Sequence, residues 1–189
     1  MPGRCWKTHA GLRGENVPEN DFSGGDDELG ERKRHMLRKA QIKDVREIQR
    51  LLSHYANQGV MLSRSLSDLY EAVRDFYVLE EGGRILGTCA LHIMWEDLAE
   101  IRSVAVVEEA GRQGIGTRLV QACLDEARAL GLKKVFCLTY KPNFFSRFGF
   151  SIVDKSELPQ KVWKDCINCV KFPDCDEIAM VLKMESPAA

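Results

Sequence analysis

One stretch of this chain restricts its fold more than any other. Arg102-Ser103-Val104-Ala105-Val106-Val107 reads as a strand, and Glu108-Glu109-Ala110-Gly111-Arg112-Gln113-Gly114-Ile115-Gly116-Thr117 follows it as a glycine-rich turn. Beyond the turn, Leu119, Val120, Cys123, Leu124, Ala127 and Leu130 recur at spacings of three and four, which is one face of a helix, and Gly131 stands where a helix C-cap is expected. A strand that passes through glycines into an amphipathic helix requires a sheet with helices packed on it. Glycines let the backbone approach a ligand closely, while the unpaired N–H groups and the positive dipole end of the helix face an anion. Such a turn can seat a pyrophosphate; its plainer reading is a connection without a ligand. A dinucleotide loop would read G-x-G-x-x-G and a triphosphate loop would end in Gly-Lys-Ser or Gly-Lys-Thr. Gly111, Gly114 and Gly116 match neither pattern.

The flanking segments extend the α/β reading. Order begins at Met36-Leu37, and Ile42, Val45, Ile48, Leu51, Leu52 and Tyr55 define a helix over about 43–56. A shorter helix runs from Leu66 to Val73 with Ser65 as N-cap. Phe76 to Leu79 and Ile85 to Met94 flank Gly82-Gly83 as a hairpin, and Ala99 to Val107 makes a third strand. Lys134 to Thr139 is a further strand. Pro142 opens a short helix carrying Phe144, Phe145 and Phe148, which Gly149 ends; these rings read mainly as core, with one of them beside a ligand. Phe150 to Val153 and Ile178 to Leu182 complete the strands. The expected fold is a mixed, mostly antiparallel central sheet flanked by helices.

Length and charge narrow the function. The 189 residues suit one domain, read here as 35–184, with a Cys-rich segment over 163–177. Residues 1–34 are charged and glycine-rich without helical or strand period, and are expected to be a disordered extension. A net charge of -1 offers no general attraction for nucleic acid or anionic lipid, so an anionic ligand must be held locally. No apolar run approaches the ~20 residues of a membrane span, and the N-terminus lacks a secretory apolar core, so a cytoplasmic location without membrane or nucleic-acid partners is expected. Self-association as a homodimer is left open.

The turn resembles the acetyl-CoA loop of the GNAT family of N-acetyltransferases, Arg/Gln-x-x-Gly-x-Gly/Ala between a strand and a long helix. Gly114 and Gly116 match it; Gly111 stands where the family usually has Arg or Gln, with Arg112 one position later. The resemblance covers nearly all of residues 36–153. It implies acetyl-CoA as cosubstrate, with Gly111 in the loop and the pyrophosphate on the amides of Arg112, Gln113, Gly114, Ile115, Gly116 and Thr117. It further implies a pantetheine arm paired along Val104, Ala105 and Val106, bordered by Asn143.

Within that family the chain is most similar to short-form glutamate N-acetyltransferases of arginine synthesis. The similarity rests on Gly59-Val60-Met61-Leu62-Ser63-Arg64-Ser65, on Ala99-Glu100-Ile101-Arg102-Ser103-Val104-Ala105-Val106, on Val135-Phe136-Cys137-Leu138-Thr139-Tyr140, and on Glu157-Leu158-Pro159. It implies an Arg for the acceptor carboxylate, a Glu base and a hydroxyl near the thioester, which by position are Arg64, Glu100 and Thr139. The chemistry suits these types. A thioester is attacked by a neutral amine, so the acceptor ammonium must give up a proton to a base. The oxyanion and the departing thiolate need donors, which Thr139 or Tyr140 would supply. Glutamate carries two carboxylates and needs cationic seats, for which Arg64, Arg102 and Lys161, with Ser103 beside them, are the candidates. Plainer readings stand beside these: Glu100 facing solvent, Arg64 pairing with Asp68, Tyr140 as a packing aromatic, and His54 and His92 as structural residues. Another amine acceptor, such as a protein N-terminus, lysine, polyamine or antibiotic, is the enzymatic alternative; a non-catalytic acetyl-CoA or metal sensor is the other.

The C-terminal C-x2-C-x5-C of Cys166, Cys169 and Cys175 supplies three soft ligands where a closed structural zinc site has four. Zinc, a reversible disulfide and unligated thiols are therefore all open. The remaining four cysteines are scattered and make no disulfide framework.

Overall fold

A computed structural model describes residues 35–158, Cys169, Lys171 and 174–184. The expectations for residues 1–34, Lys161 and Cys166 lie outside the described residues. In chain order the elements are β1 (Met36–Lys39), α1 (Val45–Asn57), α2 (Leu66–Glu71), β2 (Phe76–Glu81), β3 (Arg84–Trp95), β4 (Leu98–Val106), α3 (Ile115–Ala129), β5 (Lys134–Thr139), α4 (Pro142–Ser146), β6 (Ser151–Ile152) and β7 (Ile178–Lys183). All seven strands join one sheet in the order β1-β2-β3-β4-β5-β7-β6. Every pairing is antiparallel except that of β4 with β5, which α3 connects as a crossover. The mixed, mostly antiparallel sheet expected from the element order and the family resemblance is the observed one.

Two layers cover the sheet. On one side α1 buries Val45, Ile48, Leu51 and Leu52 against Phe76, Val78, Ala90 and Ala105. On the other, α3 buries Ile115, Leu119, Val120, Cys123, Leu124 and Ala127 against Leu86, Cys89, Ile101 and Val135. Burial of each large aliphatic side chain contributes about 1.5–3 kcal/mol, so these two stripes hold the helices in place. Gly87 of β3 makes the second contact close. A Cβ there would lie 2.9 Å from the Ile115 side chain and 3.0 Å from both the Ala105 carbonyl and the Leu119 side chain.

Two residues assigned to buried stripes by spacing are exposed, and each lies past a helix end. Ile42 sits in a 3-10 turn before α1, where three residues per turn rotate it off the 3.6-residue stripe, and it is 63% exposed. Leu130 follows α3 as its C-cap and is 57% exposed, because Gly131 at φ 73° turns the chain away. The scattered cysteines also acquire a relation, since the buried Cys89 and Cys123 sulfurs are 3.4 Å apart across the β3–α3 contact.

The parallel pairing of β4 and β5 is short, and this creates the site. It extends only from Leu98 to Glu100 on β4 and from Lys134 to Phe136 on β5. Beyond Glu100, β4 continues to Val106 paired with β3 alone, and the two strands part. A bulge at Ser103, with φ 57°, sharpens the parting: three steps along β4 from Arg102 to Ala105 match two along β3 from Ala90 to Thr88.

Candidate active site

A cavity of about 810 Å³ opens where β4 leaves β5, and residues from five separate parts of the chain line it. β4 supplies one wall, from Glu100 through Val106, with Val107 and Glu108 continuing it. The bulge explains why so many consecutive residues reach one cavity, since a regular strand would turn every second side chain away. The backbone of this half of β4 has no strand ladder on its β5 side, which leaves an edge that an extended ligand arm can join. Val104, Ala105 and Val106, the residues named for the pantetheine arm, line the cavity along this edge. Tyr55 of α1 fixes the end of this wall by donating its hydroxyl to the Val106 carbonyl at 2.5 Å.

The glycine turn closes the wall. Gly114 is the N-cap of α3 at φ 75°, a left-handed conformation that costs a side-chain-bearing residue roughly 1–2 kcal/mol. Arg112 adopts φ 64° despite its side chain. The amides of Ile115, Gly116 and Thr117 then form the first turn of a 15-residue helix with no acidic residue beside them. Gly111 and Gly116 line the cavity, whereas the Ile115 side chain is buried in the core, so its contribution to an anion is its amide alone. A Cβ on Gly116 would touch the Phe144 ring at 3.5 Å, which makes that position a close fit between α3 and α4. Phe144 and Asn143 line the cavity on this side, while Phe145 is mostly core.

The other half of the cavity is assembled from side chains. Glu100 and Arg102, two apart on β4, share one face, with 3.8 Å between carboxylate and guanidinium and side chains 15% and 11% exposed. Glu100 therefore faces the cavity, not bulk solvent. Arg64, on the loop before α2, and Ser103 line the same space. Asp68, the partner in the plainer reading of Arg64, completes a capping box at the start of α2 with Ser65. At the end of β5, Thr139 is buried and its oxygen accepts the Lys141 N–H at 2.9 Å, which leaves its own proton to donate. Tyr140 is more committed. Its hydroxyl donates to Asp176 at 2.5 Å and accepts from Lys171 at 2.7 Å. Burial and the Asp176 carboxylate raise that hydroxyl above its ordinary pKa, against the pull of Lys171.

Sequence reasoning missed Glu177. This carboxyl lines the cavity just before β7, and burial pushes its pKa up. It lies in a segment with neither helical nor strand period, so no spacing signalled it. Tyr55, Gln58 and Met61 also line the site and were legible only as helix and loop residues. Cys169 and Cys175 line the cavity as well, and the Cys175 thiol is 4.0 Å from Glu177. Among the described residues no group of three or more His, Cys, Asp or Glu side chains is arranged to hold a metal ion. Cys137, one of the scattered cysteines, is buried, and burial with the nearby Glu100 and Glu177 carboxylates raises its thiol pKa. Among the same residues no helix is long and apolar enough to cross a membrane.

A family model described as Acetyltransferase (GNAT) family matches residues 43–150, which include β4, the glycine turn and α3. The chain belongs to the GNAT family. It is an acetyl-CoA-dependent N-acetyltransferase related to amino-acid acetyltransferases. An N-acetyltransferase of Chlorobaculum tepidum is 43% identical over 145 residues, covering 77% of this chain and 94% of the relative. An amino-acid acetyltransferase of Mycobacterium tuberculosis is 38% identical over 135 residues, covering 70% and 77%. Among solved structures, a Mycobacterium tuberculosis protein in complex with CoA and NLQ superposes with a TM-score of 0.68 at 33% identity, covering 79% of this chain and 99% of that one. The N-acetylglutamate synthase of Neisseria gonorrhoeae, complexed with coenzyme A and N-acetyl-glutamate, gives a TM-score of 0.73 at 27% identity; 82% of this GNAT chain matches 36% of that longer one.

Proposed function

We propose that this enzyme transfers the acetyl group of acetyl-CoA to the α-amine of L-glutamate, the first step of arginine synthesis. The observation that carries the reading is the convergence of Arg64, Glu100, Arg102 and Thr139 on the cavity bounded by the glycine turn. The pyrophosphate rests on the amides from Arg112 to Thr117, and the pantetheine arm joins the open edge of β4. The thioester then lies where β4 and β5 part, beside Glu100. Arg64 takes one acceptor carboxylate in a charge-assisted bond of about 1.5–3 kcal/mol, and Arg102 with Ser103 orients the acceptor from the strand. Glu100 accepts a proton from the ammonium, the neutral amine attacks the carbonyl carbon, and the tetrahedral intermediate loses its second N–H proton as it expels the thiolate, which takes up that proton to leave as CoA–SH. Thr139 suits the donor role at the sulfur better than Tyr140, whose proton is committed to Asp176. The N-acetylglutamate named with the gonococcal synthase and the amino-acid acetyltransferase relatives support the acceptor class.

Glu177 favours a second acceptor chemistry in the same pocket. An ionised carboxylate at that wall suits an amide or cationic side chain better than a second carboxylate. Turnover of all twenty amino acids with acetyl-CoA, followed by thiol release, separates the readings. Glutamate is expected to lead; a lead for glutamine or a basic amino acid replaces it, and turnover of none removes the amino-acid reading.

A further inference from the structure

Proton balance in this reaction demands an exit. The acceptor arrives as R–NH3+ and leaves as R–NH–CO–CH3, so its nitrogen sheds two protons. One ends on sulfur as CoA–SH, and the other must leave the site at every turnover. If Glu100 receives that second proton, it must pass it on before the next acceptor binds. Glu100 is badly placed to do so alone: its side chain is 15% exposed, Arg102 stands 3.8 Å away, and the cavity it faces is the one the two substrates fill.

His92 stands directly opposite Glu100 in the β3–β4 ladder. Residues paired in this way put their side chains on one face, with Cβ atoms about 4.5–5.5 Å apart. Asp75, from the 3-10 turn between α2 and β2, holds the imidazole through Nδ1 at 2.6 Å. With Nδ1 engaged, Nε2 is the nitrogen left to exchange a proton. Unlike Glu100, this pair reaches water, with side chains 34% and 26% exposed. The ring's bonded charged partner is Asp75 from the turn, and on the paired strand Glu100 stands in register with it, with Arg102 two residues further along β4. A merely structural His–Asp bond would tie the turn to β3, yet it would not require the imidazole to sit in register with the buried carboxylate.

We propose that His92, held by Asp75, is the proton exit of the active site. The inference rests on Glu100 as proton acceptor in the function proposed above. His92 takes the proton from the Glu100 carboxyl on Nε2: the O–H bond breaks, the N–H bond forms, and Asp75 stabilises the imidazolium. Water or a buffer base then removes the proton and restores the neutral ring. No electrons change hands. His92 touches neither substrate and is a positioning residue that acts through Glu100.

The test is steady-state turnover of the full chain with acetyl-CoA and glutamate, in dilute and concentrated buffer, for the parent, Glu100→Gln, His92→Ala, His92→Gln and Asp75→Asn. His92→Ala is expected to lower kcat about tenfold or more in dilute buffer, with both KM values within about twofold, and added imidazole should restore much of the rate. Asp75→Asn should give a smaller loss in the same direction. If the alanine variant does not fold, His92→Gln keeps a hydrogen-bonding side chain without a relay and should show the same buffer dependence. A kcat within about twofold of the parent in dilute buffer overturns the relay, as does a loss that neither imidazole nor concentrated buffer relieves in a variant that binds CoA normally. A slow Glu100→Gln beside a fast His92→Ala defeats the exit route alone. A Glu100→Gln as fast as the parent defeats the base and the route together.

Discussion

The two halves of the cavity are built on opposite principles. In the proposed reading the donor wall is chiefly one stretch, residues 103–117, and its working parts are backbone: the open edge of β4, left-handed turns at Ser103, Arg112 and Gly114, and the first amides of α3. The acceptor wall draws on Arg64, Glu100, Arg102, Thr139 and Glu177, which come from the α1–α2 loop, β4, β5 and the lead into β7, and its working parts are charges and hydroxyls. Backbone recognition tolerates side-chain exchange wherever the conformation survives, whereas side-chain recognition is lost with a few atoms. Donor binding should therefore fail through glycine and strain, and acceptor chemistry through charge.

Four experiments would break or sharpen that contrast. The largest effect is expected for Glu100→Gln, which keeps the shape of the acceptor wall and removes its base. Turnover should fall by ~10²–10⁴ while CoA affinity measured by calorimetry stays unchanged. A parallel fall in CoA binding would show that the two walls are not separable. Next, Arg64→Ala should raise the glutamate KM by about ten- to a hundredfold at saturating acetyl-CoA, the equivalent of losing ~1.5–3 kcal/mol. Arg64→Lys should recover only part, since a point charge lacks the planar two-pronged geometry. A change below about threefold would remove Arg64 from the acceptor wall, because a surface pair is worth less than ~1 kcal/mol.

The donor wall answers to conformation. Gly114→Val places a β-branched residue at φ 75° and should weaken CoA binding by roughly five- to thirtyfold, from ~1–2 kcal/mol of strain, with the glutamate KM nearly constant. An unchanged CoA affinity in a folded variant would mean that the turn is not the pyrophosphate seat. The smallest effect tests the wall that the sequence left unmarked. Because the Glu177 carboxyl is held above its ordinary value by burial, the native state binds a proton there more tightly than the unfolded chain does. Stability is thus lost as pH rises from the unfolded toward the folded pKa, and Glu177→Gln should raise Tm at pH 7 and leave it unchanged at pH 4. Equal Tm values at both pH values would place the carboxyl in open solvent.

Most of the fold could be read from periodicity. The helix and strand assignments from Val45 to Thr139 agree with the structure to within a residue or two at most ends, because the helices keep an apolar stripe and the strands are β-rich runs bounded by turns. The reading slipped where a period was extended past a terminus, as for Ile42 and Leu130. Gly87 shows the opposite limit: nothing near it in the chain explains a glycine inside a strand, and the reason is Ile115 and Leu119 pressing from α3. Gly87→Ala should accordingly cost about 1–3 kcal/mol and lower Tm by several degrees.

The sequence by itself determined the strand, glycine turn and helix proposed as the donor wall, because these are local events whose signals sit side by side in residues 102–130. It also brought forward Arg64, Glu100 and Thr139, but only through resemblance and residue chemistry. Tertiary structure alone decided that β4 and β5 part after Glu100, that the bulge at Ser103 turns consecutive residues into one cavity, that Tyr140 is bound to Asp176, and that Glu177 faces the site. It also put His92 in register with Glu100 across the β3–β4 ladder. Each of these is a meeting of residues far apart in the chain, fixed by sheet register and by which strands run out of partners, and neither is written in the spacing of any single segment.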